Sequence, residues 1–168
     1  MSARQVVVFE AAAEWYAVPL EQVREILTAR QLRPVPAAGR GVAGLILWRG
    51  RIIPVLDLAA CLGVHCEIGE RAGAGTPRFR HSAPTSMVGA AQRIIIVRWP
   101  HREVGWLVES VEAVMAIAME SIQPPLGVAD PGVVSGMVPV NGRILMLLDS
   151  LALGAALAGE SITIGERG

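Results

Sequence analysis

The chain has 168 residues, and its fifteen basic and fifteen acidic side chains give it a net charge of zero at pH 7. Apolar residues make up 52% of the sequence and charged residues 18%, a balance that predicts a globular fold and argues against intrinsic disorder. The lack of a net positive charge disfavours nucleic-acid binding. All fifteen cations are arginines, which excludes chemistry that needs a lysine, such as a P-loop or a Schiff base.

The N-terminus and the apolar stretches bear on localisation. Residues 41–48 form an uncharged apolar stretch that is far shorter than the roughly 18 residues that span a bilayer. Residues 1–10 hold one arginine and a four-residue apolar run, which is too short for the h-region of a secretory signal. We therefore expect a cytoplasmic protein without direct membrane insertion.

Short apolar runs bounded by glycine or polar residues predict buried strands along most of the chain. The clearest of these runs are 5–9, 51–56, 93–97 and 143–148. Pro19, followed by the spaced apolar residues Leu20, Val23, Ile26 and Leu27, predicts an interrupted strand and then one or two helical turns. Many short strands with almost no long helical period indicate an all-β chain, either small barrels or a sandwich.

The two halves of the sequence resemble each other at an offset of about 90 residues. Residues 6–9 match 94–97, and the pattern of 44–57 returns at 136–149. The ordered series of matches predicts a duplication. We divide the chain into a first subdomain of about 5–63, a linker or long loop of about 65–92 rich in Gly, Ala, Ser, Thr and Pro, a second subdomain of about 93–154, and a tail of 159–168.

Asp57 and Asp149 occupy matching positions in the two halves and offer a possible pair of a general acid and a general base. Each precedes a short apolar turn that we expect to end at Gly63 or Gly154, a pattern typical of a helix N-cap followed by a C′ glycine. We therefore interpret both aspartates as helix caps and assign no catalytic residue.

Cys61, His65, Cys66 and His81 are of the residue types that bind zinc, but their spacing fits none of the paired patterns of zinc sites. A buried Cys61 and an incidental Cys66 in the linker are the preferred interpretation. No G-x-S-x-G nucleophile elbow occurs either. The sequence therefore predicts no metal, no cofactor and no enzymatic activity.

The most distinctive segment is Trp48-Arg49-Gly50-Arg51, which places an aromatic ring and two guanidinium groups on a tight turn between two apolar strands. Turns often carry binding residues, and Trp and Arg are enriched among the hot spots of protein interfaces. Two interpretations stay open at this point. The turn is either a binding tip that faces solvent or an ordinary hairpin whose tryptophan packs inward.

The order of these motifs resembles the CheW-like domain, the coupling module of bacterial chemosensory systems. The resemblance runs from about Gln5 to Leu153 and is carried by residues 6–9, 16–20, 23–26, 36, 41–44, 48–58, 94–97, 104–111, 122–125, 134–136 and 143–149. It implies two intertwined five-stranded SH3-like barrels with a few short helices. It also implies a non-enzymatic scaffold that couples the cytoplasmic tip of a chemoreceptor to the regulatory domain of a histidine kinase, at receptor arrays on the inner face of the membrane.

The resemblance also assigns residues to the protein-binding site. Arg49 takes the place of the family arginine after the hairpin strand, which contributes to receptor and kinase coupling. Val23, Glu25 and Ile26, together with Val108, would flank the groove between the barrels that accepts the receptor helix tip. From spacing alone, the residues around 23–26 fit an exposed docking edge or plain core.

The chain departs from the family pattern at three places. Trp48, which we include among the protein-binding residues, stands where a smaller residue or Leu is usual, and Glu109 replaces the more usual aspartate. The segment 65–92 is longer than the usual connection. A flagellar, pilus or surface-sensing array could each use such a variant. The competing hypothesis is a β-barrel that binds a small ligand or a peptide and has no kinase partner.

Overall fold

The computed structural model describes residues 2–36, 41–62, 91–127 and 132–159. Short apolar runs become strands here, as the sequence predicts, and the all-β class is confirmed. The elements are β1 (Ala3–Ala11), β2 (Glu14–Pro19), β3 (Val23–Thr28), β4 (Val42–Trp48), β5 (Arg51–Asp57), α1 (Leu58–Cys61), β6 (Arg93–Trp99), β7 (Arg102–Val108), β8 (Ser110–Ala118), β9 (Val134–Val140), β10 (Arg143–Leu148) and α2 (Ser150–Gly159).

The strands form two five-stranded sheets, and each sheet takes strands from both halves of the sequence. Sheet A has the order β8-β1-β2-β10-β9, and sheet B has the order β3-β6-β7-β5-β4. The two orders become identical when β6 to β10 are treated as repeats of β1 to β5. The parallel pairs, β2 with β10 and β5 with β7, each join strands from different halves. The sheets are therefore intertwined duplicates that exchange their first two strands.

An isolated bridge joins the two ends of each sheet. In sheet B, Arg33 and Leu45 exchange two backbone hydrogen bonds of 2.8 Å, which link the segment after β3 to β4. In sheet A, Gln123 and Met137 do the same at 2.8 and 2.9 Å, which links the segment after β8 to β9. These bridges bring the end strands of each sheet together, as a barrel requires.

A glycine allows the backbone to approach closely at each bridge. A Cβ on Gly44 would lie 2.3 Å from the carbonyl oxygen of Arg33. A Cβ on the matching Gly136 would lie 2.4 Å from a methyl group of Ile122 and 3.2 Å from the carbonyl oxygen of Gln123. The close approach explains why both halves of the repeat have glycine here.

The unbroken apolar runs follow from burial on both faces of the sheets. In β1, Val6 and Val8 pack in the interior of sheet A, whereas Val7 and Phe9 pack against sheet B. The strand β6 divides in the same way, with Ile94 and Ile96 in the interior of sheet B and Ile95 and Val97 between the sheets. Both alternate positions are apolar, so the period of two disappears from the sequence.

The helical turns predicted after Pro19 are wrong in extent. A single 3₁₀ turn, Leu20–Gln22, is followed at once by β3, whose residues pair with β6. Val23, Ile26 and Thr28 are β-branched, and the available partner strand favours the extended conformation at these positions.

The caps at the two aspartates are confirmed, but the predicted end of the second helix is not. The Asp57 carboxylate accepts from the Ala60 N–H at 3.4 Å, and Asp149 accepts from the N–H groups of the residues at 151 and 152. Helix α2 continues through Gly154 to Gly159. A Cβ on Gly154 would lie 2.9 Å from the Trp99 ring, so this glycine serves close packing and is not a C′ cap. Gly63 lies outside the described residues.

Helix α2 follows a strand of sheet A but packs against sheet B. The hydroxyl of the fully buried Ser150 donates to the Arg98 carbonyl oxygen in β6 at 2.9 Å. The Ser150 N–H donates to the side-chain oxygen of Gln22 at the entry to β3, also at 2.9 Å. The helix start is thereby fixed to the opposite sheet. No helix in the described part of the chain is long and apolar enough to span a membrane.

Candidate protein-binding site

The turn between β4 and β5 has a conformation that its first residue, Arg49, does not favour. Arg49 and Gly50 lie in the left-handed region with φ of +49° and +76°, as in a two-residue type I′ hairpin turn. The matching turn in sheet A has Asn141 and Gly142 at +50° and +76°, the residue pair that this turn prefers. Arginine at this position costs roughly 1 kcal/mol of local conformational energy, and its side chain is exposed.

Trp48 packs inward while its neighbour stays at the surface, so the structure combines the two interpretations left open by the sequence. Trp48 is 6% exposed and belongs to the interior core of sheet B. The Cζ atom of Arg49 lies 4.7 Å from the centre of the Trp48 ring, and that of Arg51 lies 5.9 Å away. Guanidinium groups at these distances are attracted by the face of the indole.

The predicted docking edge, β3, is the end strand of sheet B and contains a bulge. The pairing with β6 shifts between Val23 and Glu25. Val23 and Ile26 lie opposite residues of β6 that face the other sheet, whereas Glu25 lies opposite Ile96, which faces the interior of sheet B. The bulge therefore places two apolar side chains on the side between the sheets and sends the carboxylate inward.

Within β3, each side chain has a different degree of contact. Val23 is half-buried against the core between the sheets, and Ile26 is 38% exposed. The half-buried Glu25 carboxylate accepts a hydrogen bond from the indole N–H of Trp48. This bond joins the two end strands of sheet B.

Val108 lies away from this edge. It is 2% exposed, packs in the core between the sheets, and pairs with Arg93 in β6. Arg93 pairs in turn with Thr28, at the far end of β3 from Val23. The structure thus brings together Glu25, Trp48 and Arg49, and it places Val108 inside the molecule.

Two features near the turn were missed by sequence reasoning. Leu47 and Ile52 lie opposite each other on β4 and β5, and they are 67% and 72% exposed. Ile46 and Trp48 are buried on the other face, so the alternation along β4 was the available signal. The second feature is Glu103, which forms an ion pair with Arg51 at 2.8 Å. Nothing in the spacing of these two residues indicates this pair.

Of the four residues considered as zinc ligands, Cys61 alone lies within the described ranges. In the described ranges, no group of three or more His, Cys, Asp or Glu residues is arranged to hold a metal ion. Burial, with a smaller contribution from the Asp57 carboxylate, raises the pKa of the Cys61 thiol to about 12. His65, Cys66 and His81 lie outside the described residues.

The architecture defines a class: a duplicated β domain whose two five-stranded sheets exchange strands. A family model of the CheW-like domain matches residues 5–157. The chain is 27% identical over 149 residues to the chemotaxis protein CheW of Rhizobium meliloti (strain 1021), covering 87% of this chain and 84% of the relative. It is 29% identical over 150 residues to the chemotaxis protein CheW of Thermotoga maritima, covering 86% and 83%.

Solved structures agree with the sequence comparisons. The fold is similar to that of the scaffolding protein TtCheW from Thermoanaerobacter tengcongensis, with a TM-score of 0.69, 27% identity, and coverage of 91% of this chain and 88% of that chain. This chain belongs to the CheW-like family.

Proposed function

We propose that this protein is a scaffold of chemosensory signalling that couples the cytoplasmic tip of a chemoreceptor to the regulatory domain of a histidine kinase. The observation that carries the proposal is the match to the CheW-like domain over residues 5–157, together with relatives named as chemotaxis proteins. The solved relative is described as a scaffolding protein. In this role the protein binds other polypeptides in the cytoplasm, at receptor arrays, and performs no bond chemistry.

The receptor side of the proposal rests on β3. Val23 and Ile26 present apolar surface on an end strand, at the side between the two sheets. An amphipathic helix tip binds through apolar side chains that enter such a groove. Arg49 supplies a positive charge at the neighbouring hairpin turn, so that binding depends on the charge of the partner.

The kinase side rests on the exposed apolar hairpins. Leu47 and Ile52 form an apolar pair beside the arginine turn, and Pro139 and Ile144 form a matching exposed pair in sheet A. Paired exposed apolar side chains of this size favour protein contacts. Signalling needs reversible contacts, so we expect each interface to bury less than about 1,200 Å² in total. The difference in affinity for the two receptor states would be about 1–3 kcal/mol.

The test is a reconstitution of the protein with a chemoreceptor fragment and the kinase from the same organism. Arg49→Glu should abolish receptor control of autophosphorylation while the fold is kept, because a charge reversal at an exposed turn costs little stability but meets the partner with the wrong sign. Asn141→Glu at the equivalent turn of sheet A is the matched control. Full receptor control with Arg49→Glu would contradict the role of this arginine.

Partner binding separates the scaffold from the competing hypothesis. Co-elution with the regulatory domain of the kinase supports the scaffold. A melting temperature that rises with a small ligand or a peptide, without kinase binding, supports the ligand-binding barrel instead.

A further inference from the structure

Glu25 and Trp48 connect the proposed receptor edge to the arginine turn. Glu25 lies on β3 and Trp48 ends β4, so their hydrogen bond spans the two end strands of sheet B. The other three indole N–H groups, of Trp15, Trp99 and Trp106, are buried without a hydrogen-bond partner in the described part of the chain. Among the residues described, Trp48 is thus the one tryptophan whose indole N–H is hydrogen-bonded to a side chain.

Arg49 depends on this ring for its placement. It forms no ion pair within the described ranges, and its guanidinium lies over the Trp48 ring. Arg51, in contrast, is held by the Glu103 carboxylate at 2.8 Å. A change in the orientation of the indole therefore moves the favourable position of the Arg49 guanidinium more than that of Arg51.

Sheet A folds without any part of this arrangement. Ala113 lies opposite Val8 in β1 where Glu25 lies opposite Ile96 in β6. Val140 pairs with Arg143 where Trp48 pairs with Arg51. Asn141 takes the place of Arg49 in the turn. The same strand order forms with alanine, valine and asparagine, so the fold itself does not require a carboxylate, an indole and a guanidinium at these positions.

We propose that Glu25 is a positioning residue, which sets the place of the Arg49 guanidinium through the indole of Trp48. The carboxylate faces the interior of sheet B while its neighbours Val23 and Ile26 face the side between the sheets. A partner that shifts β3 also shifts the acceptor of the indole N–H, and the ring carries the shift to the turn. The part of this proposal that concerns the receptor rests on the proposed function. It couples receptor docking at β3 to the position of the positive charge at the hairpin turn.

The first test needs no partner. In the full-length ¹⁵N-labelled protein, the Trp48 indole N–H signal is assigned by its loss in Trp48→Phe, and the Arg49 Nε–H signal by its loss in Arg49→Asn. Glu25→Ala should shift both signals. Glu25→Gln keeps an acceptor oxygen and should restore both towards their original positions. An Arg49 signal that stays in place in Glu25→Ala would overturn the proposal.

Two further variants keep this test sharp. Glu25→Asp shortens the side chain by one methylene group, so it should shift both signals from their positions in the unmodified protein, and it replaces Glu25→Ala if the alanine variant does not fold. Glu21→Ala removes a nearby exposed carboxylate that pairs with Arg4 at 2.7 Å, and it should leave both signals unchanged. Equal shifts in Glu21→Ala and Glu25→Ala would mean that the shifts come from the change in net charge alone, which would overturn the proposal.

The second test uses the reconstituted receptor and kinase. Glu25→Ala should weaken assembly of the receptor-controlled complex about tenfold, the scale of a lost charged hydrogen bond. The double variant with Arg49→Asn should be no weaker than Arg49→Asn alone, because both changes act on the same guanidinium. Additive losses would overturn the proposal. If the unmodified protein assembles no complex, the proposed function fails, while the spectroscopic test still decides the positioning role.

Discussion

Arg143 lies over the ring of Trp15, with its Cζ atom 4.5 Å from the ring centre. At the equivalent place in sheet B, Arg51 forms an ion pair with Glu103. The duplicated strands thus hold two equivalent arginines by two different interactions. One is a contact between a cation and an aromatic face, and the other depends on two opposite charges.

The two interactions should respond differently to salt. We expect Glu103→Ala to lower the free energy of unfolding by no more than about 1 kcal/mol at low ionic strength, and by less in 1 M NaCl, because the pair is partly exposed and is screened. Arg143→Ala should cost about 0.5–1 kcal/mol with little dependence on salt. Urea unfolding at low and high NaCl measures both. An equal salt dependence of the two variants would contradict this distinction.

The bridge glycines should differ in their tolerance of a methyl group. Gly44→Ala places a Cβ against a backbone oxygen, which cannot move without breaking the bridge to Leu45. We expect a loss of about 3 kcal/mol. In Gly136→Ala, the nearest atom belongs to the Ile122 side chain, which can rotate, so we expect a smaller loss. Chemical denaturation of both variants measures the two losses in the free energy of unfolding. A larger loss for Gly136→Ala would show that the contact with the backbone oxygen does not determine the cost.

The turn between β1 and β2 contains two alanines in an unfavourable conformation. Ala12 and Ala13 have φ of +51° and +61°. Ala13→Gly should stabilise the protein by about 0.5–1 kcal/mol, because glycine adopts this region without the Cβ clash. Ala116→Gly, at an exposed position within β8, is the control and should destabilise the protein. A lower melting temperature for Ala13→Gly would refute the expectation.

The Cys61 thiol should be unreactive in the folded protein. Its pKa is raised from 9.0 to about 12 by burial and then by Asp57. Alkylation needs the thiolate, so iodoacetamide at pH 8 should modify Cys61 far more slowly in the folded protein than in urea, as followed by mass spectrometry of its peptide. Equal rates in the two states would contradict the burial.

The same pKa shift has a consequence for stability. The folded-state pKa lies above the unfolded one, so the protonated thiol contributes stability below about pH 9, and this contribution falls as the pH rises from 9 to 12. Cys61→Ala should remove that part of the alkaline decline in the free energy of unfolding. An identical decline in both proteins would argue against it.

Local patterns were sufficient to predict the strands, the duplication and the aspartate caps. The runs at 5–9 and 93–97 are recognisable because burial on two faces makes every position apolar. Asp57 and Asp149 act within their own turn, so the few residues around them hold the necessary information. The predicted end of α2 was wrong because Gly154 packs against the ring of Trp99. Trp99 is close in space but distant in the sequence, so the residues around Gly154 do not reveal this contact.

The candidate site was only partly predictable for a related reason. Spacing identified Trp48 and Arg49 as a turn, and the family resemblance singled out Val23, Glu25 and Ile26. The bulge in β3, which turns Glu25 away from Val23 and towards Trp48, depends on the register with β6. Register is set by pairing across long sequence separations, and a local period of two cannot give it.

Because each sheet takes two of its five strands from the opposite half of the chain, neither half contains a complete sheet. A polypeptide ending before β6 would leave β3 without its partner strand and β5 paired with β4 alone. One beginning at β6 would leave β8 without its partner strand and β10 paired with β9 alone. Folding must therefore close contacts between distant parts of the chain before either sheet gains stability, which favours slow, all-or-none assembly. We therefore expect the two sheets to fold and unfold as one cooperative unit.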